Sequence, residues 1–208
     1  MNLRLSDWIG ISAVCAAFLQ FVVLLFTLLG LNRTARRQLR AYVLVESGAI
    51  ANIIEPEPPN QRVNPTNPTQ ILAHVTRQDL PANVFLTIKN TGQTPAMEVT
   101  HWGNAVVREY PLTTQLPGAD PDIKPMPSVL GPGIQSTKRL VLPAPLSVPQ
   151  ITEIRGGTMA VYVYGQIKYR DIFKKTWTTE YRTMYYVYGG VLGINTALTF
   201  CEEGNKAK

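Results

Sequence analysis

The chain has 208 residues, enough for one ordinary domain and an anchor but short for two domains. Its 20 Lys and Arg outnumber 14 Asp and Glu, a formal net charge of +6. Five Arg and one Asp in residues 1–40 account for +4 of this, and the remaining 15 bases and 13 acids leave only +2 for residues 41–208. The basic balance is therefore chiefly a topology signal, and its distribution argues against a nucleic-acid partner.

Trp8 to Leu31 is a run of 24 residues without a charge, in which Ser12, Gln20 and Thr27 are the clearly polar members. As a helix it spans roughly 36 Å, against about 30 Å for the hydrocarbon core, so it is long enough to cross a bilayer with some tilt. A cleaved signal peptide is the plainer alternative. The run is too long for one, and Leu29-Gly30-Leu31-Asn32-Arg33 is a poor cleavage site. Val14 also stands where a lipoprotein would need a small residue before Cys15.

The flanks predict orientation. Arg4 and Asp7 precede the run, whereas Arg33, Arg36, Arg37 and Arg40 follow it with no acid before Glu46. Basic residues near a helix end stay on the cytoplasmic side, so the expectation is an inner-membrane, single-pass protein with a cytoplasmic domain. Residues 1–40 are the anchor and its basic collar; residues 41–208 are the domain. Cys15 lies in the anchor and Cys201 near the C-terminus, so the domain holds neither an internal disulfide nor a multi-cysteine zinc site.

Behind the collar, Ala41 to Gly48 is rich in strand formers and reads as a first strand. All 16 prolines fall between Pro56 and Pro149, which assigns the long loops to that region, Pro56 to Pro68 above all. Val84 to Lys89 alternates, with Val84, Leu86 and Ile88 on one face. Asn90-Thr91-Gly92 suggests a tight reversal through positive φ, after which Ala96 to Val107 returns as a strand with Met97 and Val99 on one side. Tyr110 to Pro132 reads as a second Pro/Gly-rich excursion, and Thr137 to Leu142 as a short strand.

Ser147-Val148-Pro149-Gln150 fits a capping box opening one short helix, which Gly156-Gly157 stops. Thr158 to Arg170 and Lys175 to Val187 then alternate on either side of Asp171 to Lys174. Val161, Val163, Ile167 and Tyr169 share a face of the first run, and Trp177, Tyr181, Tyr185 and Val187 a face of the second, the pattern of a β-hairpin with one buried side. Gly189 to Phe200 supplies a last strand. The sum is a mainly all-β chain of six or seven strands: an N-terminal transmembrane helix, then an antiparallel β-sandwich, immunoglobulin-like, with one short helix. A partly open barrel is the alternative.

The anchor, the collar running into Arg40-Ala41-Tyr42-Val43, the stretch Asn90 to Ala96 and the segment Tyr164 to Phe173 together resemble a family of small bacterial single-pass membrane proteins with an immunoglobulin-like β domain. The resemblance covers most of the chain and implies architecture. That family has no established activity, so it implies no mechanism.

The sequence offers little catalytic chemistry. His74 and His101 lack metal-ligand spacing and a nearby cluster of carboxylates, no G-x-S-x-G is present, and Gly189-Gly190-Val191-Leu192-Gly193 lacks the ending of a phosphate loop. No catalytic residue, metal site or cofactor is expected. The one concentration of charge is the hairpin tip, where Lys168, Arg170, Lys174, Lys175 and Arg182 surround Phe173 and Trp177, with Asp171 and Glu180 as the acids. It reads either as a site for anionic lipid headgroups, a nucleic-acid strand or an acidic protein, or as the charged outer face of an ordinary hairpin. The tyrosines from Tyr181 to Tyr188 suit a core or a contact surface. The expected function is a non-enzymatic, membrane-anchored protein-interaction module with an unidentified protein partner. The alternatives are an anionic lipid- or nucleic-acid-binding hairpin, and an enzyme with a site assembled from distant residues.

Overall fold

The computed structural model describes residues 5–53, 81–120, 125–187 and 197–208. The Pro56–Pro68 loop, His74 and most of the Gly189–Phe200 segment lie outside them. The chain divides into two compact units, residues 1–40 and 41–208.

The first unit is one α-helix, α1 (Leu5–Gln38), about 51 Å long. Ala17–Gln38 is apolar and long enough to cross a membrane. Its Phe18, Leu24, Phe26 and Leu28 are each more than 60% exposed.

The second unit is mostly strand. One antiparallel sheet has the order β1 (Val43–Ala51), β2 (Asn83–Asn90), β5 (Gln135–Val141). The other has the order β4 (Ser128–Leu130), β3 (Ala96–Glu109), β6 (Met159–Arg170), β7 (Thr176–Tyr185), β8 (Thr199–Phe200), with β9 (Lys206–Ala207) also pairing with β7. Alternation buries Val84, Leu86 and Ile88 of β2 in one core with Val161, Val163, Ile167 and Tyr169 of β6 and Tyr181 and Tyr185 of β7. In β1, Val43 and Val45 point inward until a bulge between Val45 and Ser47 resets the phase so that Ile50 is buried too. The helix α2 (Val148–Arg155) closes one end with Ile151 and Ile154, and its Ser147–Gln150 capping box and stop at Gly157 (φ 72°) form as the sequence predicts.

Three readings change. β3 does not return beside β2; it pairs with β6 in the other sheet, so the Thr91–Pro95 segment is a crossing between sheets. That turn uses no positive φ at Asn90, Thr91 or Gly92. Instead the buried Asn90 side chain accepts from the Gly92 and Tyr42 amides (3.0 and 3.2 Å) and donates to the Thr94 and Leu130 carbonyls (2.8 and 3.0 Å). Met97 and Val99 do not share a side. A bulge with Glu98 at φ 52° exposes Met97 and buries Val99.

One lateral gap between the sheets is bridged by the C-terminal segment. Ala197 pairs with Ala49, the Leu198 amide donates to the Gly48 carbonyl (2.9 Å), and β8 pairs with Thr183 and Met184 of β7.

Candidate functional site

The β6–β7 hairpin turns through Asp171 to Lys175. Asp171 is 3% exposed, and its carboxylate faces into the turn. Oδ1 accepts from the Phe173 and Lys175 amides (both 2.9 Å), and Oδ2 accepts from the Trp177 indole N–H (2.7 Å). Three donors on one carboxylate make a turn of fixed shape. Lys174 takes the left-handed conformation the turn requires, at φ 65°. Because the tip's acid is internal, its outer surface carries Ile172, Phe173 and Lys174, while the Lys175 ammonium lies 4.0 Å from the centre of the Trp177 ring.

Of the residues the sequence grouped at the tip, Phe173, Lys174, Lys175 and Trp177 come together, with Lys168 and Arg170 beside them on the outer face of β6. Arg170 is ion-paired with Glu98 of β3. Arg182 is the exception. It pairs with Tyr164, six positions from the Arg170–Thr176 end of the hairpin, or about 20 Å along the strands. Charge proximity in sequence misled here because an antiparallel pair carries each residue away from the turn at strand pitch.

Arg182 belongs to a second feature, a trough of about 700 Å³ on the outer face of β3, β6 and β7. Its floor includes Trp102, Tyr164, Gln166 and Arg182. The rings of Trp102 and Tyr164 meet edge to face at 6.3 Å and 85°. One wall is the segment Gln115–Gly118 and the other is the tail Glu202–Lys206. The tail is fixed: the Cys201 amide donates to the Arg182 carbonyl (3.0 Å), Asn205 Oδ1 accepts from the Arg182 amide (2.9 Å), and Thr178 and Lys208 exchange backbone bonds. Gly204 (φ 89°) lies so close on the Arg182 guanidinium that a Cβ there would stand 2.6 Å from Nε. The sequence signal for this wall is Gly204-Asn205, a turn pair that folds the chain end back onto β7. Burial raises the pKa of the half-buried Cys201 thiol, an effect the Arg182 charge opposes.

A third feature lies between the sheets. Gly103, Gly165 and Tyr181 stand in a row across β3, β6 and β7. The Tyr181 ring lies over the two glycines, so its hydroxyl reaches His101 Nε2 at 2.8 Å, with the rings stacked 5.8 Å apart. Burial, with a smaller contribution from the Lys138 charge, lowers the His101 pKa from 6.5 to about 4, so the imidazole is neutral near pH 7. Burial raises the Tyr181 pKa. A pocket of about 410 Å³ adjoins His101, with Asp120 and Leu140 on its lining. Among the described residues no group of His, Cys, Asp and Glu is placed to hold a metal ion.

No protein-family model, curated protein or solved structure matches this chain.

Proposed function

We propose that the chain is a non-enzymatic protein-interaction module, held by an uncleaved helix at the cytoplasmic face of a bacterial inner membrane. Its domain is read as an immunoglobulin-like sandwich. The strand order supports this: the first, second and fifth strands form one sheet, and the fourth, third, sixth and seventh lie adjacent in the other, with crossings between sheets in the immunoglobulin manner. The Arg33, Arg36, Arg37 and Arg40 collar supports the cytoplasmic orientation.

The observation that carries the binding reading is the trough over Trp102 and Tyr164. It is lined by Trp102 and Tyr164 with polar groups between them, and by the Gln115–Gly118 and Glu202–Lys206 segments. That geometry suits an extended protein segment. Glu180, Glu202 and Glu203 outnumber Arg182 and Lys206 around it, which favours a segment with a Lys or Arg beside an aromatic or proline residue. Anchoring raises the local concentration of such a partner without adding any contact.

A photo-crosslinking side chain at Gln166 on the trough floor tests this in intact cells, with the same group at the exposed Thr137 on the opposite sheet as control. The expected result is one discrete protein adduct at position 166 whose cross-links map to a single extended segment. It is absent at position 137 and lost on adding Trp102→Ala. An adduct pattern equal at both positions, or indifferent to Trp102→Ala, contradicts the reading.

A further inference from the structure

The hairpin tip lies at the end of the domain where the chain enters from the anchor. Tyr169, two residues before the turn, donates its hydroxyl to the Ala41 carbonyl (3.2 Å), and the Thr179 hydroxyl donates to the Val43 carbonyl (2.7 Å). The same end carries the Asn90 hub, which binds the Tyr42 amide. Ala41 is fully buried in the domain core, and only Leu39 and Arg40 separate it from the last residue of α1. Three Cα–Cα steps join Gln38 to Ala41, about 10 Å at full extension, so the covalent link between helix and domain is short.

The surface at that end combines apolar and basic side chains. Ile172 and Phe173 are 46% and 37% exposed, adjacent in sequence and at the apex of the turn. Lys174 and Lys175 follow at once, and Lys168 lies exposed beside them. The one acid of the turn, Asp171, is turned inward and held by three donors. Glu98, the nearest acid on β3, is engaged by Arg170. Two apolar side chains flanked by ammonium groups match the two layers of a bilayer interface, with acyl boundary below and phosphates above. Position 174 adds to this: its left-handed φ would suit Gly or Asn, yet a Lys occupies it.

We propose that this hairpin tip is a second membrane contact, in which Ile172 and Phe173 enter the interface and Lys168, Lys174 and Lys175 bind the phosphates of anionic lipids. The contact fixes the rotation of the domain about its tether. It stands on observations separate from the trough.

The test uses the full chain with Cys15→Ala and Cys201→Ser, carrying a single bimane-labelled cysteine at Thr176, next to the tip, or at Val148 on α2 as control. The protein is reconstituted into phosphatidylcholine vesicles with or without phosphatidylglycerol, containing a lipid whose headgroup bears a nitroxide quencher. The expected result is strong quenching at position 176 in the anionic vesicles and weak quenching at 148. Removing the anionic lipid, or adding Lys174→Glu with Lys175→Glu, should bring position 176 down towards the control. Near-UV circular dichroism of the double variant verifies that the hairpin is folded, and Lys174→Gln with Lys175→Gln, a milder change, replaces it should it not be. Quenching at 176 no stronger than at 148 overturns the proposal. So does quenching that ignores both lipid charge and the lysine changes, because the tip would then be near the bilayer through its tether alone.

Discussion

The Tyr169 hydroxyl and the Ala41 carbonyl, 128 positions apart in sequence, are joined by a buried hydrogen bond of 3.2 Å. This bond ties the base of the β6–β7 hairpin to the first residue of the domain, and so joins the tip to the chain's point of entry. Tyr169→Phe keeps the ring in the core and leaves the Ala41 carbonyl without this donor. A loss of about 1–2 kcal/mol is expected by denaturant titration, together with faster amide exchange at Val43 and neighbouring β1 residues.

Asp171 is the internal brace of the tip. Asp171→Ala strands the Phe173 and Lys175 amides and the Trp177 indole N–H, which the carboxylate now accepts. The expected cost is about 3 kcal/mol. Trp177 fluorescence should shift to longer wavelength as the indole loses its partner and meets water. Asp171→Asn, which keeps an oxygen acceptor, should lose less.

Gly165 has no room for a side chain. A Cβ there would stand 2.2 Å from the Trp102 carbonyl oxygen, 2.7 Å from Gly103 Cα and 2.7 Å from the Tyr181 hydroxyl. Two of these neighbours are backbone and cannot swing away. Gly165→Ala should therefore cost about 3 kcal/mol or more, or prevent folding, whereas an alanine at Gly118, which has open space around it, should be near neutral. Thermal unfolding of the two variants side by side measures the contrast.

His101 makes stability depend on pH. Its pKa is 6.5 when unperturbed and about 4 in the fold. Between these values the unfolded chain binds the extra proton and the folded chain does not, so stability falls as pH falls from about 6.5 to about 4. The stabilisation is complete above the unfolded value, and the loss levels off below the folded one. The contribution is about 3 kcal/mol across the window. His101→Gln can still hydrogen-bond Tyr181 and should flatten the stability-versus-pH curve between pH 6.5 and 4 relative to the parent chain; parallel curves would contradict this origin.

The parts of this fold legible in the sequence are those written in local periodicity. The alternation of Val161, Val163, Ile167 and Tyr169 against Trp177, Tyr181 and Tyr185 sets the hairpin and its buried face, and Ser147 with Gln150 sets the α2 cap. What escaped depends on contacts between distant segments. By sequence, Asn90 reads as a positive-φ turn residue. Its work is done by its amide, which binds Tyr42 and Leu130, both remote in sequence. The need for glycine at Gly103 and Gly165 is set by residues remote in sequence: the Tyr181 hydroxyl fills the space at Gly103, and the Trp102–Gly103 backbone with that hydroxyl fills it at Gly165. The tip cluster was half legible. Lys168 to Trp177 is local and held together, but assigning Arg182 to it needed the strand pitch, and the trough needed the tail to fold back onto β7.

The most direct test of the central claim, an intact helical anchor with a cytoplasmic domain, is protease treatment of inner-membrane vesicles of both orientations, read by mass. The expected result is an alkali-resistant membrane protein of the full 23.1 kDa, with residues 41–208 digested in inverted vesicles and protected in right-side-out ones. A shortened chain that has lost Trp8 to Leu31, or a domain protected in inverted vesicles and cut from outside, would contradict it.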